Sequence, residues 1–330
     1  MTVLVTGGAG YIGSHFVWQL VEKDEQVVVL DRLSSGFDWA VPPAAKLIIG
    51  DIGDASLVRS LLNEYAIDAV VHFAGSIVVP ESIAAPLTYY HNNTCKTRTL
   101  LDAVVEAKVR HFIFSSTAAV YGMHGLAPIA ENTAVNPESP YGRSKLMTEW
   151  MLRDASDAHD FTFTALRYFN VAGADPHGRV GQSTLGATHL IKVACETAMG
   201  KRAEMNIFGN DYPTPDGTCI RDYIHVSDLA VAHYLALARL RAGGANLIAN
   251  CGYGRGYSVS EVVDSVKRIS GRDFYVRICD RRPGDPAAVV ADADLARREL
   301  QWVPQYADLD KIVTDAFNWE LKLAQLQAAK

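Results

Sequence analysis

Apolar and polar positions alternate along the first half of the chain in two periods. Short apolar runs with β-branched side chains at residues 3–5, 26–30, 46–49, 69–73, 111–114 and 161–167 predict buried strands. Periodic stretches between them predict helices over 11–23, 55–65, 86–107 and 141–158. Strand and helix in alternation define an α/β chain with a parallel sheet covered by helices on both faces. Past Asn170 the pattern loosens into Gly- and Pro-containing stretches, 172–186 and 209–217, with helices expected over 188–199, 227–240, 258–269 and 309–326. This predicts a smaller second lobe. No internal repeat, low-complexity segment or flexible linker interrupts the chain, so the lobes are expected to pack rigidly.

The first strand runs into Thr6-Gly7-Gly8-Ala9-Gly10-Tyr11-Ile12-Gly13, and a helix follows. Strand, glycine turn and helix stand in the order a dinucleotide site needs, which makes the sheet Rossmann-type and doubly wound. Gly7 allows the tight turn, Gly10 lets the backbone reach a pyrophosphate at the helix N-terminus, and Gly13 lets helix and strand pack closely. The second strand ends in Asp31, about 20 residues on, where a carboxylate accepts the adenosine ribose hydroxyls and repels a 2′-phosphate. NAD is therefore expected rather than NADP, with Asp31 turned toward the cofactor and Arg32 away from it. Asp51 and Ile52, at the end of the third strand, either flank the adenine or form an ordinary strand end.

Composition changes the picture only by exclusion. The chain has 330 residues, 49% of them hydrophobic, enough for a large core and two lobes. A net charge of −6 gives no electrostatic reason to bind nucleic acid or an anionic membrane. Cys95, Cys195, Cys219, Cys251 and Cys279 are scattered, odd in number and without metal-ligand spacing, so no metal is expected and the thiols read as reduced. With no basic leader and no 18-residue apolar run, a cytoplasmic location is expected.

The candidate chemistry begins at Tyr141 and Lys145. Four residues apart on a helix that opens after Pro140, phenol and ammonium share one face. A phenol beside a fixed cation is drawn toward ionisation. A fall of ~3 pKa units from roughly 10 takes ~4 kcal/mol and makes a base for neutral pH. Such a pair also arises by chance on solvated helix faces. The fifth strand runs into Ser115-Ser116-Thr117, where ligands of an open α/β sheet sit; the hydroxyls either reach the Tyr141 site or form a strand-end turn.

Together, the glycine motif, Asp31, Phe73-Ala74-Gly75, Asn92-Asn93, Ser115-Ser116-Thr117, Tyr141 with Lys145, Arg167-Tyr168-Phe169-Asn170, Ile207-Phe208-Gly209-Asn210-Asp211-Tyr212-Pro213-Thr214 and Arg221-Asp222-Tyr223-Ile224-His225-Val226 resemble the extended short-chain dehydrogenase/reductase family. The closer likeness, over nearly the whole chain, is to its nucleotide-sugar 4-epimerases. The resemblance implies an isomerase that interconverts UDP-glucose and UDP-galactose by transient oxidation at C4 with tightly held NAD. It implies Tyr141 as base, Thr117 as the hydroxyl that bonds the reacting oxygen, and Lys145 as their cation and a ligand of the nicotinamide ribose. Gly7, Gly10, Tyr11, Ile12, Gly13, Asp31, Asp51, Ile52, Phe73, Ala74, Gly75, Asn92, Ser115 and Tyr168 match cofactor contacts. Asn170, His189, Arg221, Arg282, Asp285 and Val289 match the substrate side. Arginine suits a diphosphate because its planar fork donates two bonds at once, although Arg221-Asp222 and Arg281-Arg282 also read as surface ion pairs. The resemblance further implies a homodimer through the helices at 86–107 and 141–158. It places the NAD-binding domain at 1–170 plus about 218–250, and the nucleotide-sugar-binding domain at about 171–217 plus 251–330.

The departures carry information. A lysine that some relatives place near the cofactor phosphates is Ile77 here, and asparagine is usual where Ser35 and His189 stand. Dehydratases of the family carry Asp-Glu just after the Ser/Thr; here the positions are Ala118 and Ala119, which cannot move protons. Val289 falls where relatives carry either a bulky Tyr or a smaller residue beside the sugar 2-position, which extends the expectation to UDP-GlcNAc and UDP-GalNAc. A UDP-xylose/UDP-arabinose 4-epimerase needs the same chemistry and stays open.

Overall fold

The apolar runs form strands because their side chains find cover on both sides. In β1 (Thr2–Thr6), Val3 and Val5 join the core on one face of the sheet and Leu4 the core on the other, as a two-residue period requires. All three are fully buried, and each such side chain contributes about 1.5–3 kcal/mol by leaving water. The computed structural model describes residues 1–282 and 284–328. Residues 283, 329 and 330 of the expected second domain lie outside the described residues.

From β1 the chain continues through α1 (Tyr11–Val21), β2 (Gln26–Asp31), β3 (Lys46–Ile49), α2 (Ala55–Glu64) and β4 (Ile67–His72). Next come α3 (Val79–Ala84), α4 (Pro86–Tyr89), a π-helical turn (Tyr90–Cys95) and α5 (Lys96–Glu106). Then follow β5 (His111–Thr117), α6 (Pro140–Ala158), β6 (Thr162–Tyr168), β7 (Asn170–Ala172), α7 (Leu190–Ala198), β8 (Met205–Phe208), β9 (Ile220–His225) and α8 (Val226–Arg241). The last elements are β10 (Leu247–Cys251), β11 (Gly256–Ser258), α9 (Val259–Ser270), β12 (Val276–Cys279), β13 (Ala288–Val289), α10 (Asp294–Leu300) and α11 (Leu309–Ala328).

Seven parallel strands in the order β10-β6-β5-β4-β1-β2-β3 form the main sheet. The chain winds outward from β1 to β3, then returns to the other side of β1 and winds out through β4, β5 and β6. That reversal opens a crevice beyond the carboxyl ends of β1 and β4, the place where such sheets bind ligands. Thr6, the last residue of β1, is in register with His72 of β4 and Leu30 of β2.

Two expectations need correction. The sheet has a seventh strand, because β10 pairs with β6 after α8 has packed on α1. The helix expected over 86–107 is interrupted by the π-helical turn, from which Asn93 hydrogen-bonds to Ser76 and Ser144. The smaller sheets lie in the second half: β9 pairs with β7, β11 and β13, and β8 pairs with β12.

Candidate active site

Three strand ends meet under the glycine turn. Gly7 N donates to Leu30 O at 2.9 Å, and Phe73 N and Ala74 N both donate to Thr6 O, at 2.9 and 3.1 Å. Gly7 has φ +72°, and a Cβ there would stand 2.6 Å from Ala74 N, so only glycine lets the turns after β1 and β4 close on each other. Gly10 is the N-cap of α1 with no side-chain cap, which leaves the first amides and the positive helix end for an anion.

The carboxylate of Asp31 is fixed by two amides: Ala9 N donates to Oδ2 at 3.0 Å and Leu33 N to Oδ1 at 2.8 Å. Arg32, expected to point away, lines the cleft beside Asp31 and pairs with Asp51 at 3.2 Å. Lys96 reaches Asp51 at 2.6 Å and Gly53 N donates to it at 2.7 Å. Burial raises the Asp51 pKa, but Lys96, the Gly53 amide and Arg32 together hold it below the usual carboxylate range. No local pattern in the sequence marks Lys96, because it acts through a strand end 45 residues away.

On the other side of the crevice, Ser139 caps α6 by accepting from Gly142 N at 3.1 Å, and Pro140 opens the helix. A Cβ on Gly142 would stand 2.6 Å from Ala119 O, so the first turn of α6 sits directly on the turn that follows β5. This brings Tyr141 beside Thr117, whose Oγ1 accepts from Ala119 N at 3.1 Å. Lys145 Nζ donates to Ser115 O at 3.0 Å and lies 4.8 Å from the centre of the Phe114 ring. Ser115 Oγ is buried beside the Tyr168 phenol without a hydrogen bond of good geometry.

The charges differ from the expectation. Burial pushes the Tyr141 phenol well above its ordinary value, the neighbouring Tyr168 adds to this, and only the Thr117 hydrogen bond opposes it. Lys145 is lowered to about 8 by burial, against the pull of Glu149. Helical spacing alone predicts a lowered phenol; desolvation reverses the sign here, because both side chains are almost completely enclosed.

Asn92 and Asn93 sit on the π-helical turn. Asn92 Nδ2 donates to Ser76 Oγ at 3.2 Å, while Asn93 accepts from Ser76 N at 2.8 Å and donates to Ser144 Oγ at 3.0 Å. Asn93 therefore locks the segment after β4 to the helix of Tyr141, a role its sequence neighbourhood does not reveal.

A cleft of about 790 Å³ joins these parts. Its lining holds Gly7, Gly10, Tyr11, Ile12, Gly13, Asp31, Asp51, Ile52, Phe73, Ala74, Gly75, Asn92, Thr117, Tyr141 and Tyr168, and on the far wall Asn170, His189, Arg221, Asp285 and Val289. Lys145 and Ser115 stand just behind the wall. Ile77, Ser35, Ala118 and Ala119 also line it. The fixed Asp31 carboxylate, the uncapped helix end and a cleft of this volume fit a dinucleotide together with a second ligand.

On the far wall, Val289 of β13 is in register with Arg221 of β9. Arg221 pairs with Asp285, and its Nη1 donates to Ile220 O at 2.8 Å. Asp222 is not its partner. That carboxylate is buried on the other side of β9, accepts from the amides of Tyr253, Gly254 and Ala291 at 2.9, 2.9 and 3.2 Å, and is raised to about 6 by burial. Gln182 Nε2 donates to His189 Nδ1 at 2.7 Å, and burial lowers the imidazole. Arg282 lies outside the lining and stacks on Phe208, 3.7 Å from the ring centre. Arg281 pairs with Asp211 at 2.6 Å.

Among the described residues no helix is long and apolar enough to cross a membrane. A family model described as the NAD dependent epimerase/dehydratase family matches residues 3–252. A UDP-glucose 4-epimerase of Azospirillum brasilense is 56% identical over 323 residues, 98% of this chain and 93% of that one. The solved UDP-glucose 4-epimerase from Brucella ovis in complex with NAD superposes with a TM-score of 0.94 at 45% identity, covering 96% of this chain and 97% of that one. The UDP-Glc/GlcNAc 4-epimerase of Campylobacter jejuni superposes at 0.86 with 46% identity, covering 97% and 99%.

Proposed function

The chain belongs to the NAD dependent epimerase/dehydratase family, and from that membership we propose that it is an isomerase interconverting UDP-glucose and UDP-galactose with NAD held in the cleft. The observation that carries this reading is the enclosed Tyr141/Thr117 pair followed by two methyl-bearing residues, Ala118 and Ala119, in the wall of one cleft with the glycine turn. Proton removal at one carbon is provided for; the acid and base that dehydration needs at those two positions are replaced by alanine.

When bound, NAD supplies a reversible hydride acceptor. We assign its binding to the residues from Gly7 to Asn92 named above, with Ser115, Lys145 and Tyr168. The enclosed Tyr141 phenol is neutral by itself; ionised beside Lys145 and the positive charge that bound NAD would bring, it takes the proton of the sugar 4-hydroxyl, and Thr117 Oγ1 holds the same oxygen as it becomes a carbonyl. Lys145 keeps positive charge beside the phenol. Asn170, His189, Arg221 and Asp285 hold the nucleotide while the keto ring turns its other face to Tyr141, which then returns the proton. An incoming diphosphate competes with Asp285 for Arg221. We assign residues 1–170 plus about 218–250 to an NAD-binding domain and about 171–217 plus 251–330 to a nucleotide-sugar-binding domain, with Asn170 and Arg221 reaching the nucleotide from the first. The direct test is incubation of the purified protein with UDP-galactose, UDP-GalNAc and UDP-arabinose without added NAD. Formation of UDP-glucose is expected, and no turnover of any sugar with or without NAD overturns the assignment.

Val289 favours a second substrate pair. A small side chain in the far wall leaves room for an N-acetyl group, and the similar Campylobacter jejuni enzyme is a UDP-Glc/GlcNAc 4-epimerase, so turnover of UDP-GlcNAc and UDP-GalNAc is expected as well. Val289→Tyr is expected to cut N-acetyl turnover by roughly 10–100-fold and to leave glucose and galactose within a few-fold. Efficient glucose turnover with no N-acetyl turnover by either protein would remove this reading.

We also propose a homodimer through α4 to α5 and α6, where Leu87 and Trp150 are 79% and 51% exposed on neighbouring elements; light scattering measures it. We place the protein in the cytoplasm, a reading supported by five unpaired thiols.

A further inference from the structure

A buried ion pair lies directly beneath the Tyr141/Lys145 step. Tyr141, Lys145 and Glu149 follow at four-residue intervals on α6 and are 6%, 3% and 2% exposed. Glu149 Oε1 accepts from Ser116 Oγ at 2.6 Å and Arg167 Nε at 2.9 Å, and Oε2 accepts from Arg167 Nη2 at 2.5 Å. Arg167 Nη1 donates to Tyr121 OH at 3.0 Å, which donates to Asn250 Oδ1 at 2.7 Å. One carboxylate thus ties α6 to β5 and β6, and the arginine extends the tie to β10. Ser116 follows the residue whose carbonyl accepts Lys145, and Arg167 precedes Tyr168.

Such a pair is weak ground for stability, because the cost of desolvating two charges offsets their attraction. Its neighbours suggest a different task. From α6 itself, Tyr141 and Glu149 share the helix face of Lys145. From β4 comes His72, lowered to about 3 by burial and by the charge of Lys145, and hence neutral. From β5 come the Ser115 carbonyl and the Phe114 ring. From β6 come the neutral Tyr168 and Arg167, whose guanidinium is turned to Glu149 and Tyr121. Tyr89 of α4 lies near Tyr141, its phenol bonded to Glu81. In this set the charge that acts on Lys145 and opposes its burial is that of Glu149.

We propose that Glu149 is a positioning residue acting through Lys145, the counter-ion that keeps the ammonium protonated and sets the alkaline limit of the reaction, with Arg167 fixing its carboxylate. The inference rests on the roles assigned to Tyr141 and Lys145 above. Glu149→Gln leaves Arg167 buried without its partner and so risks the fold; the double variant with Arg167→Met removes that charge, and Glu149→Asp restores the anion.

In full-length protein with its retained cofactor, two quantities decide the matter: the pH profile of kcat on UDP-galactose, and the titration midpoint of Lys145 followed by NMR of lysine-labelled protein, assigned with Lys145→Arg. Both Gln variants are expected to move limb and midpoint down by about one pH unit, a roughly tenfold loss confined to alkaline pH. Asp at this position keeps both near the wild type. Limb and midpoint unmoved in folded Gln variants, or an equal loss at every pH, overturns the proposal. So does failure of every variant to fold, since the pair would then act on the fold and not on Lys145. A wild type without epimerase activity sinks the assigned reaction instead, and the Lys145 midpoint still decides whether Glu149 is its counter-ion.

Discussion

Tyr141→Phe is expected to lower kcat by about 10³–10⁴-fold while the protein stays folded and keeps its NAD. The ring of Tyr141 is packed between α6 and the turn after β5, and phenylalanine preserves that packing. What disappears is one oxygen: the partner of Thr117 and the assigned acceptor of the 4-hydroxyl proton. Losing a buried hydroxyl with a single partner costs stability only about 1 kcal/mol, too little to account for inactivity. Cofactor content after purification, thermal melting and initial rates on UDP-galactose separate the two effects. A variant that retains NAD and epimerises within tenfold of the wild type would remove Tyr141 from its role, and with it the reading of the cleft.

The raised phenol of Tyr141 also marks where sequence reasoning reaches its limit. The residues of the site are legible, because a glycine turn, a strand-end acid and a Tyr/Lys spacing are local patterns. Their electrostatics are not, because a helical spacing reports which side chains share a face and nothing about how far that face is enclosed. Arg221 shows a related limit. Its sequence neighbour Asp222 is an obvious partner on paper, but successive side chains of a strand point to opposite faces, so Asp222 meets backbone amides in the core while Arg221 meets Asp285 at the cleft.

The fold divides in the same way. The first six strands each contain an apolar or alternating stretch that can be read from the chain alone. The seventh, Leu247–Cys251, is broken by Asn250, which is consumed by tertiary bonds to Tyr121 and to the carbonyl of Ile129 that no local pattern announces. The π-helical turn at Tyr90–Cys95 keeps helical periodicity on both sides, and the partners of its Asn93 come from Ser76 and Ser144, distant in sequence. Strands as short as Asn170–Ala172 and Ala288–Val289 exist only because each pairs with β9.

Gly7→Ala is expected to abolish NAD retention and to destabilise the protein by about 2–4 kcal/mol, adding a left-handed backbone cost to an overlap that cannot relax. The added methyl would meet Ala74 N at 2.6 Å, Ala74 Cα at 2.8 Å and the Phe73 carbonyl carbon at 2.9 Å. All three are backbone atoms, and the two amides there are already spent on Thr6 O. Relief therefore requires the turn after β4 to move away from the turn after β1, which spreads the floor on which the cofactor is assigned to lie. Two controls separate the contributions. Gly186 has φ +66° and open space, with nothing within 4 Å of where a Cβ would stand, so Gly186→Ala carries the backbone cost alone, about 1 kcal/mol. Gly125 has open space and no left-handed φ, so Gly125→Ala is expected within about 0.5 kcal/mol of the wild type. If Gly7→Ala melts like Gly186→Ala and still copurifies with NAD, the closeness of the two turns is not what shapes the cofactor floor, and the burden passes to the uncapped end of α1.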